Sequence, residues 1–259
     1  MASRLSSDLA PRRRERLVSL VSESGVVRVA ELCRTLKASP ATVRRDLEAL
    51  ESTGRVRRVH GGAVAVQSRL EEPMFDDKTA IAARQKHRIA QAALNMIARG
   101  ETVYLDGGST VLELARLLRE RGDVTVVTNS LRAALELGGK GPRLILVGGE
   151  LRRRSQTTVG PLTGALLDEV RPDRAFMGTM GLDLEQGVTT TDPDEAHTKR
   201  AAMSRSQQIV LLADSSKIGK ISFVRSGEVT DVHVVITDKG ADAGFVRQLE
   251  RSGVRVVRA

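Results

Sequence analysis

The chain has 259 residues, 41% of them hydrophobic and 28% charged, and Lys+Arg exceed Asp+Glu by nine. No apolar run is long enough to cross a membrane, and a single cysteine, Cys33, rules out an intrachain disulfide or a multi-cysteine zinc site. The charge is uneven: residues 1–62 hold 13 Lys+Arg against 7 Asp+Glu and the remainder 28 against 25, which fits a phosphate-seeking module joined to a nearly neutral one.

In chain order, residues 1–10 read as a mobile tail, since Met1–Ser7 lacks the apolar stretch of a secretory signal, and a reducing cytoplasm suits the lone thiol. Pro11 to about Ser24 carries Leu17, Leu20 and Val21 on one helical face and stops at Gly25. Val29, Leu32, Cys33 and Leu36 mark a short second helix with Cys33 in its core, and Lys37-Ala38 turns into a third. There Ser39 is the N-cap, Pro40 sits in the first turn, and Val43, Leu47 and Leu50 repeat at i, i+4, i+7 as a buried stripe. Ala41, Thr42, Arg44 and Arg45 are left facing outward near the helix N-terminus, the end that helix-turn-helix proteins set in the major groove of DNA. Gly54 marks the stop. Val56 and Val59 then bracket Arg57 and Arg58 in a small wing expected to pair with Val26-Val27-Arg28.

The pattern predicts a winged helix-turn-helix over 11–66, with Ser39, Ala41, Thr42, Arg44, Arg45, Arg57, Arg58 and His60 as candidate DNA contacts. For any one of these arginines a solvated helix face is the plainer reading, and their grouping on one small module argues for DNA.

Over 67–78 the periodicity stops and Glu71, Glu72, Pro73, Asp76 and Asp77 appear, which reads as a linker. From 79 to 259 short apolar runs recur at Thr102–Leu105, Val124–Val127, Leu144–Val147, Ala175–Met177, Ile209–Ala213, Val232–Ile236 and Val254–Val257, mostly separated by helix-length amphipathic segments. Such alternation predicts an α/β domain with a mostly parallel sheet covered on both faces. Small and polar residues gather after these strands, where open α/β sheets bind ligands: Asp106-Gly107-Gly108-Ser109-Thr110, Thr128-Asn129-Ser130, Gly148-Gly149, Gly178 to Gly181, and Asp214-Ser215-Ser216-Lys217. The first presents bare N–H groups and a helix start to an anion, yet is neither a P-loop nor a dinucleotide fingerprint, so a small phosphate ester suits it. The plainer reading of Gly107-Gly108, a tight strand-to-helix turn, stays open. Lys217 is set to neutralise a phosphate or carboxylate, Asp106 to accept from hydroxyls, and Ser109 and Thr110 to donate to phosphate oxygens. His60, His87, His197 and His233 are too scattered for a metal site, and neither metal nor cofactor is expected.

The run Thr42-Val43-Arg44-Arg45-Asp46-Leu47 with Arg57-Arg58-Val59-His60-Gly61-Gly62-Ala63 resembles the signature of the DeoR-type bacterial transcription regulators, and the clusters of the second domain resemble their carboxy-terminal sensor. The resemblance covers almost the whole chain. It implies operator contact by Thr42, Arg44, Arg45, Arg57 and Arg58, a body with a fold similar to ribose-5-phosphate isomerase, and a phosphorylated sugar or related effector. The effector would meet Asp106 through Thr110, Thr128 through Ser130, Gly148, Gly149, Asp214 and Lys217. Glu195 and Lys199 match a Glu-Ala-x-x-Lys stretch of the family, although a surface ion pair is the favoured reading of Lys199. Lys78 and Gln85 depart from the Arg and Glu common at those places. The expected function is a metabolite-controlled regulator, most naturally a repressor, acting as a homo-oligomer on an operator. The alternatives are a sugar-phosphate isomerase with an appended DNA-binding head and a constitutive architectural DNA-binding protein; no acid/base pair can be assigned by spacing, which ranks binding above turnover.

Overall fold

The change of apolar pattern near residue 70 is a change of folding unit: the computed structural model divides into Met1–Ser68 and Arg69–Ala259. It describes the chain apart from Met1, Gly25, Gly54, His60, residues 66–71 and Lys140.

The first unit runs α1 (Ala2–Ser24), β1 (Val26–Arg28), α2 (Val29–Leu36), α3 (Pro40–Ser52), β2 (Val56–Val59) and β3 (Gly62–Ala65). The helix begins at Ala2, so the expected tail is helical and Pro11 lies inside α1; a proline there removes one main-chain hydrogen bond but leaves the flanking turns intact. The stops expected at Gly25 and Gly54 fall outside the described residues. Leu17 and Val21 of α1, Leu32 of α2 and Val43, Leu47 and Leu50 of α3 form one core with Val27, Val56 and Ala63, and Cys33 packs against it half-buried. Lys37 makes the turn at φ +49°, and the Ser39 hydroxyl accepts from the Thr42 N–H at 3.2 Å.

The wing pairs differently from expectation. Its order is β1-β3-β2, antiparallel throughout, so Val56–Val59 reaches β1 only through Gly62–Ala65. Gly62 permits this, because a Cβ there would stand 2.4 Å from the Val27 carbonyl oxygen.

The second unit contains α4 (Phe75–Ala80), α5 (Ala83–Leu94), β4 (Thr102–Leu105), α6 (Ser109–Leu117), β5 (Thr125–Thr128), α7 (Leu131–Leu137), β6 (Arg143–Leu146), β7 (Glu150–Arg152), β8 (Thr157–Val159), α8 (Pro161–Asp168), β9 (Arg174–Gly178), β10 (Gly181–Asp183), β11 (Gly187–Thr190), α9 (Pro193–Arg205), β12 (Gln208–Leu212), β13 (Val224–Gly227), β14 (Val234–Thr237), α10 (Ala243–Arg251) and β15 (Arg255–Arg258). Each of the seven apolar runs is a strand of one parallel sheet, in the order β15-β14-β12-β9-β4-β5-β6. Val103 and Leu105 of β4 face one core with Ile89, Leu114 and Leu137, while Tyr104 between them faces another with Leu167, Met203 and Leu249. Burial on both faces is why the five inner strands read as unbroken apolar runs, while the edge strands β6 and β15 are only partly buried.

The sheet order positions the site. From β4 the chain winds outward through β5 and β6, then returns to the other side of β4 for β9, β12, β14 and β15. Connections leaving β4 and β9 diverge, which opens a crevice beyond their carboxyl ends. The described part of the presumed linker belongs to this unit: Glu72 and Phe75 are buried, and Phe75 opens α4. One buried position on a short helix and one ahead of it leave no repeat for a sequence pattern to show.

One buried residue of α3 is not apolar. Asp46 lies beside Leu47 and accepts from Nε of both Arg13 and Arg14, the latter at 3.0 Å. Burial alone would raise its carboxyl, but the two guanidinium groups outweigh that and hold it below the ordinary value. Because both arginines reach water, Asp46→Ala is expected to cost about 2 kcal/mol, chiefly the charged hydrogen bonds, read as a lower melting temperature. A folded-state pKa that is depressed gives stability present above about pH 4 and lost as pH falls further, and the variant should lack that dependence.

Candidate functional site

The face of α3 opposite the core presents Ala41, Arg44 and Arg45 exposed and Thr42 half-buried, with the Ser39 and Thr42 hydroxyls 2.9 Å apart. Neither Arg44 nor Arg45 forms an ion pair among the described residues. Arg58 is placed otherwise: its Nη1 lies 2.9 Å from Glu48 Oε1 and its backbone N–H donates to Glu51, so it braces the wing against α3. His60 and the Arg57 side chain lie outside the described residues.

In the second unit the crevice at the switch point is lined by the start of α6, the loop after β9, α9, the loop after β12 and residues 72–86. Gly107 and Gly108 line it and also make the tight turn. A Cβ at 107 would meet the Thr157 methyl at 2.2 Å, and Gly108 caps α6 at φ +125°. Ser109 and Thr110 follow on the crevice wall.

Asp106 sits beneath this turn, 2% exposed, accepting at Oδ2 from the Gly178 N–H at 2.9 Å and from Lys199 Nζ. The surface reading of Lys199 is therefore overturned. It is 3% exposed, donates also to the Gly178 carbonyl at 3.0 Å, and stands 3.6 Å from Glu195 Oε1. Burial pulls Lys199 down, but Asp106 and Glu195 reverse this and keep it protonated. Burial pushes Glu195 up, against the pull of Lys199. The i, i+4 spacing of Glu195 and Lys199 is the same on a solvated helix, so spacing alone gave no sign of burial.

Two candidate groups are not on the crevice. Thr128 donates to the Leu105 carbonyl at 2.6 Å, Asn129 accepts from the Tyr104 hydroxyl at 2.8 Å, and Ser130 caps α7, so all three tie strand ends together. Gly148 and Gly149 lie under α8, where the Thr163 hydroxyl donates to the Gly148 carbonyl and a Cβ at 149 would meet that hydroxyl at 1.9 Å. Asp214 and Lys217 are on the crevice, Asp214 accepting from the Ser216 N–H at 3.0 Å.

Sequence reasoning missed Glu72, Lys78, Lys86 and Arg152. Glu72 accepts from Lys78 Nζ at 2.7 Å, Arg152 Nη2 at 2.7 Å and the Thr191 hydroxyl at 2.8 Å. Burial would raise its carboxyl, yet Lys78, Arg152 and Thr191 bring it down to about 2. Arg152 also lies 3.2 Å from both Asp192 and Glu195. Lys86 is lowered to about 8, first by burial and then, against the pull of Asp214, by Lys217 and Lys78; burial lowers Lys217 as well. The available signal was lysine scarcity: of eight lysines in the chain, Lys78, Lys86, Lys199 and Lys217 line this one crevice.

Comparison with known proteins follows the same division. A family model of the DeoR-like helix-turn-helix domain matches residues 13–69, and one of the DeoR C terminal sensor domain matches residues 81–239. The chain is 39% identical over 249 residues to the HTH-type transcriptional regulator GlpR of Haloferax volcanii, spanning 96% of this chain and 98% of that protein. It is 34% identical over 227 residues to the Glycerol-3-phosphate regulon repressor of Escherichia coli K12, spanning 87% and 90%. A ribose 5-phosphate isomerase A structure from Methanocaldococcus jannaschii overlaps 51% of this chain and 53% of that chain at 20% identity and a TM-score of 0.38, too slight an overlap to argue from.

Removing Lys199 strands the Asp106 carboxylate in the interior. Lys199→Met is expected to cost about 3–5 kcal/mol, seen as a melting temperature lower by on the order of 10 °C. An unchanged melting curve would mean that the pair does not hold the fold.

Proposed function

The chain belongs to the DeoR family of transcriptional regulators, and from that premise we propose that its crevice binds a phosphorylated sugar or polyol that changes the affinity of the first unit for an operator. One observation carries the reading: Lys86 and Lys217, neither with a carboxylate within ion-pair distance among the described residues, converge with the start of α6 on one crevice. Both are held below the ordinary lysine value, a penalty that a bound dianion reverses. A phosphate there meets two ammonium groups, the N–H groups of a helix start and the Ser109 and Thr110 hydroxyls. Glu195 Oε2, buried and held by the Arg152 Nη1 charge at 3.2 Å without a hydrogen bond of good geometry, keeps capacity to accept from a ligand hydroxyl.

The chain is a regulator and not an enzyme: both matched domain models are regulator domains, and relatives matched over nearly their whole length are named as transcriptional regulators. The Escherichia coli relative is named a repressor of the glycerol-3-phosphate regulon, which supports repression as the sign and phosphorylated-polyol metabolism as the kind of process controlled. Arg44 and Arg45, with Ala41 and Thr42, form the DNA-reading set, joined by Arg57 and His60 from the wing. A homo-oligomer in the cytoplasm, placing two heads on half-sites about 34–36 Å apart, doubles the limited contact of one head.

Arg44→Ala or Arg45→Ala should each weaken operator binding by about 1–3 kcal/mol without lowering the melting temperature. Anisotropy at one fixed salt concentration measures this, and full affinity in both variants removes α3 as the reading helix. The crevice makes a separate prediction. An anion beside Lys86 raises that lysine from about 8, so at higher pH binding takes up a proton and affinity falls, by up to about tenfold per unit. Calorimetry with a sugar monophosphate at about pH 7.5 and about pH 9 tests the sign, and Lys86→Met should flatten the dependence. A flat wild-type profile takes Lys86 out of the site.

A further inference from the structure

One wall of the crevice is built by Glu72, Pro73, Lys78, Ile81 and Lys86, from the stretch through which the chain passes out of residues 66–71 into the second unit. We propose that Glu72 reports occupancy of the crevice to that stretch: an anion held by Lys86 and Lys217 repels the Glu72 carboxylate, draws Lys78 away from it and loosens residues 72–81 from the body. The proposal rests on the anion-binding reading of the crevice.

Glu72 is 3% exposed and is fastened to three elements, to Lys78 in α4, Arg152 in β7 and Thr191 just after β11. Its own carbonyl accepts from Arg154. Lys86 Nζ donates to the Lys78 carbonyl, so the lysine that faces the ligand also tethers the end of α4. The groups share one electrostatic neighbourhood, since Lys217 responds to Asp214, Lys78 and Glu72, and Lys86 to Asp214, Lys217 and Lys78. Glu72 stays ionised throughout the neutral range. A phosphate dianion brought into this poorly solvated space faces a like charge, and like charges repel far more strongly there than in water. Lys78 and Lys86 then have a second and stronger anion to satisfy. Each step toward it removes one tether from residues 72–81, leaving the Arg152 and Thr191 contacts of the Glu72 carboxylate that the anion opposes, the Arg154 contact to its carbonyl, Phe75 in its apolar seat and the exposed Asp76–Arg132 pair, which is worth little alone.

The test is hydrogen exchange of the full chain with inorganic phosphate as the probe, its binding followed by calorimetry. Saturating phosphate should speed exchange of the amides between 75 and 81 by about threefold or more in wild type. In Glu72→Gln these amides should exchange fast without phosphate, phosphate should add no further acceleration, and it should bind several-fold tighter because a like charge is gone. Should Glu72→Gln fail to fold, Thr191→Val removes one donor to Glu72 while keeping the charge, and must speed basal exchange in the same direction. Phosphate that binds wild type while exchange over 75–81 stays unchanged or slows overturns the proposal, whatever the variants do. Folded Glu72→Gln that exchanges and binds like wild type overturns it too. Absence of phosphate binding to wild type overturns instead the reading of the crevice on which the proposal stands.

Discussion

The ion pair of Asp106 and Lys199 sits where the sheet changes direction, and the arrangement of the second unit depends on it. Asp106 directly follows β4, Gly178 ends β9, and Lys199 comes from α9; one lysine donates to the carboxylate and to the Gly178 carbonyl, while the Gly178 N–H donates to the same carboxylate. Taking two charges out of water costs several kcal/mol per ion, so a buried pair is poor evidence of stability as such. Its geometry explains it better. Beyond the carboxyl ends of β4 and β9 the parallel ladder stops, and the buried Gly178 N–H and C=O take side-chain partners instead. A carboxylate and an ammonium group answer both kinds at once, which two apolar side chains do not.

With that floor fixed, the charges around the crevice separate into two kinds. Lys199, Lys78 and Arg152 are matched to Asp106, Glu72, Asp192 and Glu195 within ion-pair distance. Lys86 and Lys217 are not, and burial lowers both. Paired charges hold a structure in place. Unmatched cations that burial makes costly, eased here by the Asp214 charge and, for Lys86, by the Lys78 carbonyl, leave room for an anion, and the nearby N–H groups at the start of α6 favour the same sign of charge.

Much of this was legible in the sequence and some was not, for reasons that lie in particular residues. The five inner strands were readable because covering on both faces makes each an apolar run, and α3 because Val43, Leu47 and Leu50 keep helical spacing. Which strand-end loops line the crevice was not readable. Gly148-Gly149 after β6 and Gly107-Gly108 after β4 look alike in sequence, but β6 is the outer strand and β4 borders the switch point, and strand order is a property of the whole sheet. The antiparallel hairpin of β7 and β8 was too short to show a pattern, and with it went Arg152. Glu72, Lys78 and Lys86 were hidden by their setting in a polar stretch, where burial comes from partners 80 and more residues away, as with Arg152 and Thr191.

That last group also decides how a ligand can act at a distance. A ligand shifts an equilibrium only by the difference in its affinity for the two states. If the crevice were lined solely by loops at the ends of β4, β9 and β12, its ligand would bind equally well wherever residues 72–81 lay, and nothing would pass beyond the second unit. Here one wall includes that stretch, carrying a carboxylate that opposes an anion and Lys78, which attracts it, with Lys86 following on the same wall. Under the proposed anion-binding reading, occupancy favours one disposition of the stretch over another, and residues 66–71 are the covalent route by which that preference would reach the unit that carries Arg44 and Arg45. Reciprocity follows: DNA that favours one disposition must change affinity for the ligand by the factor through which the ligand changes affinity for DNA.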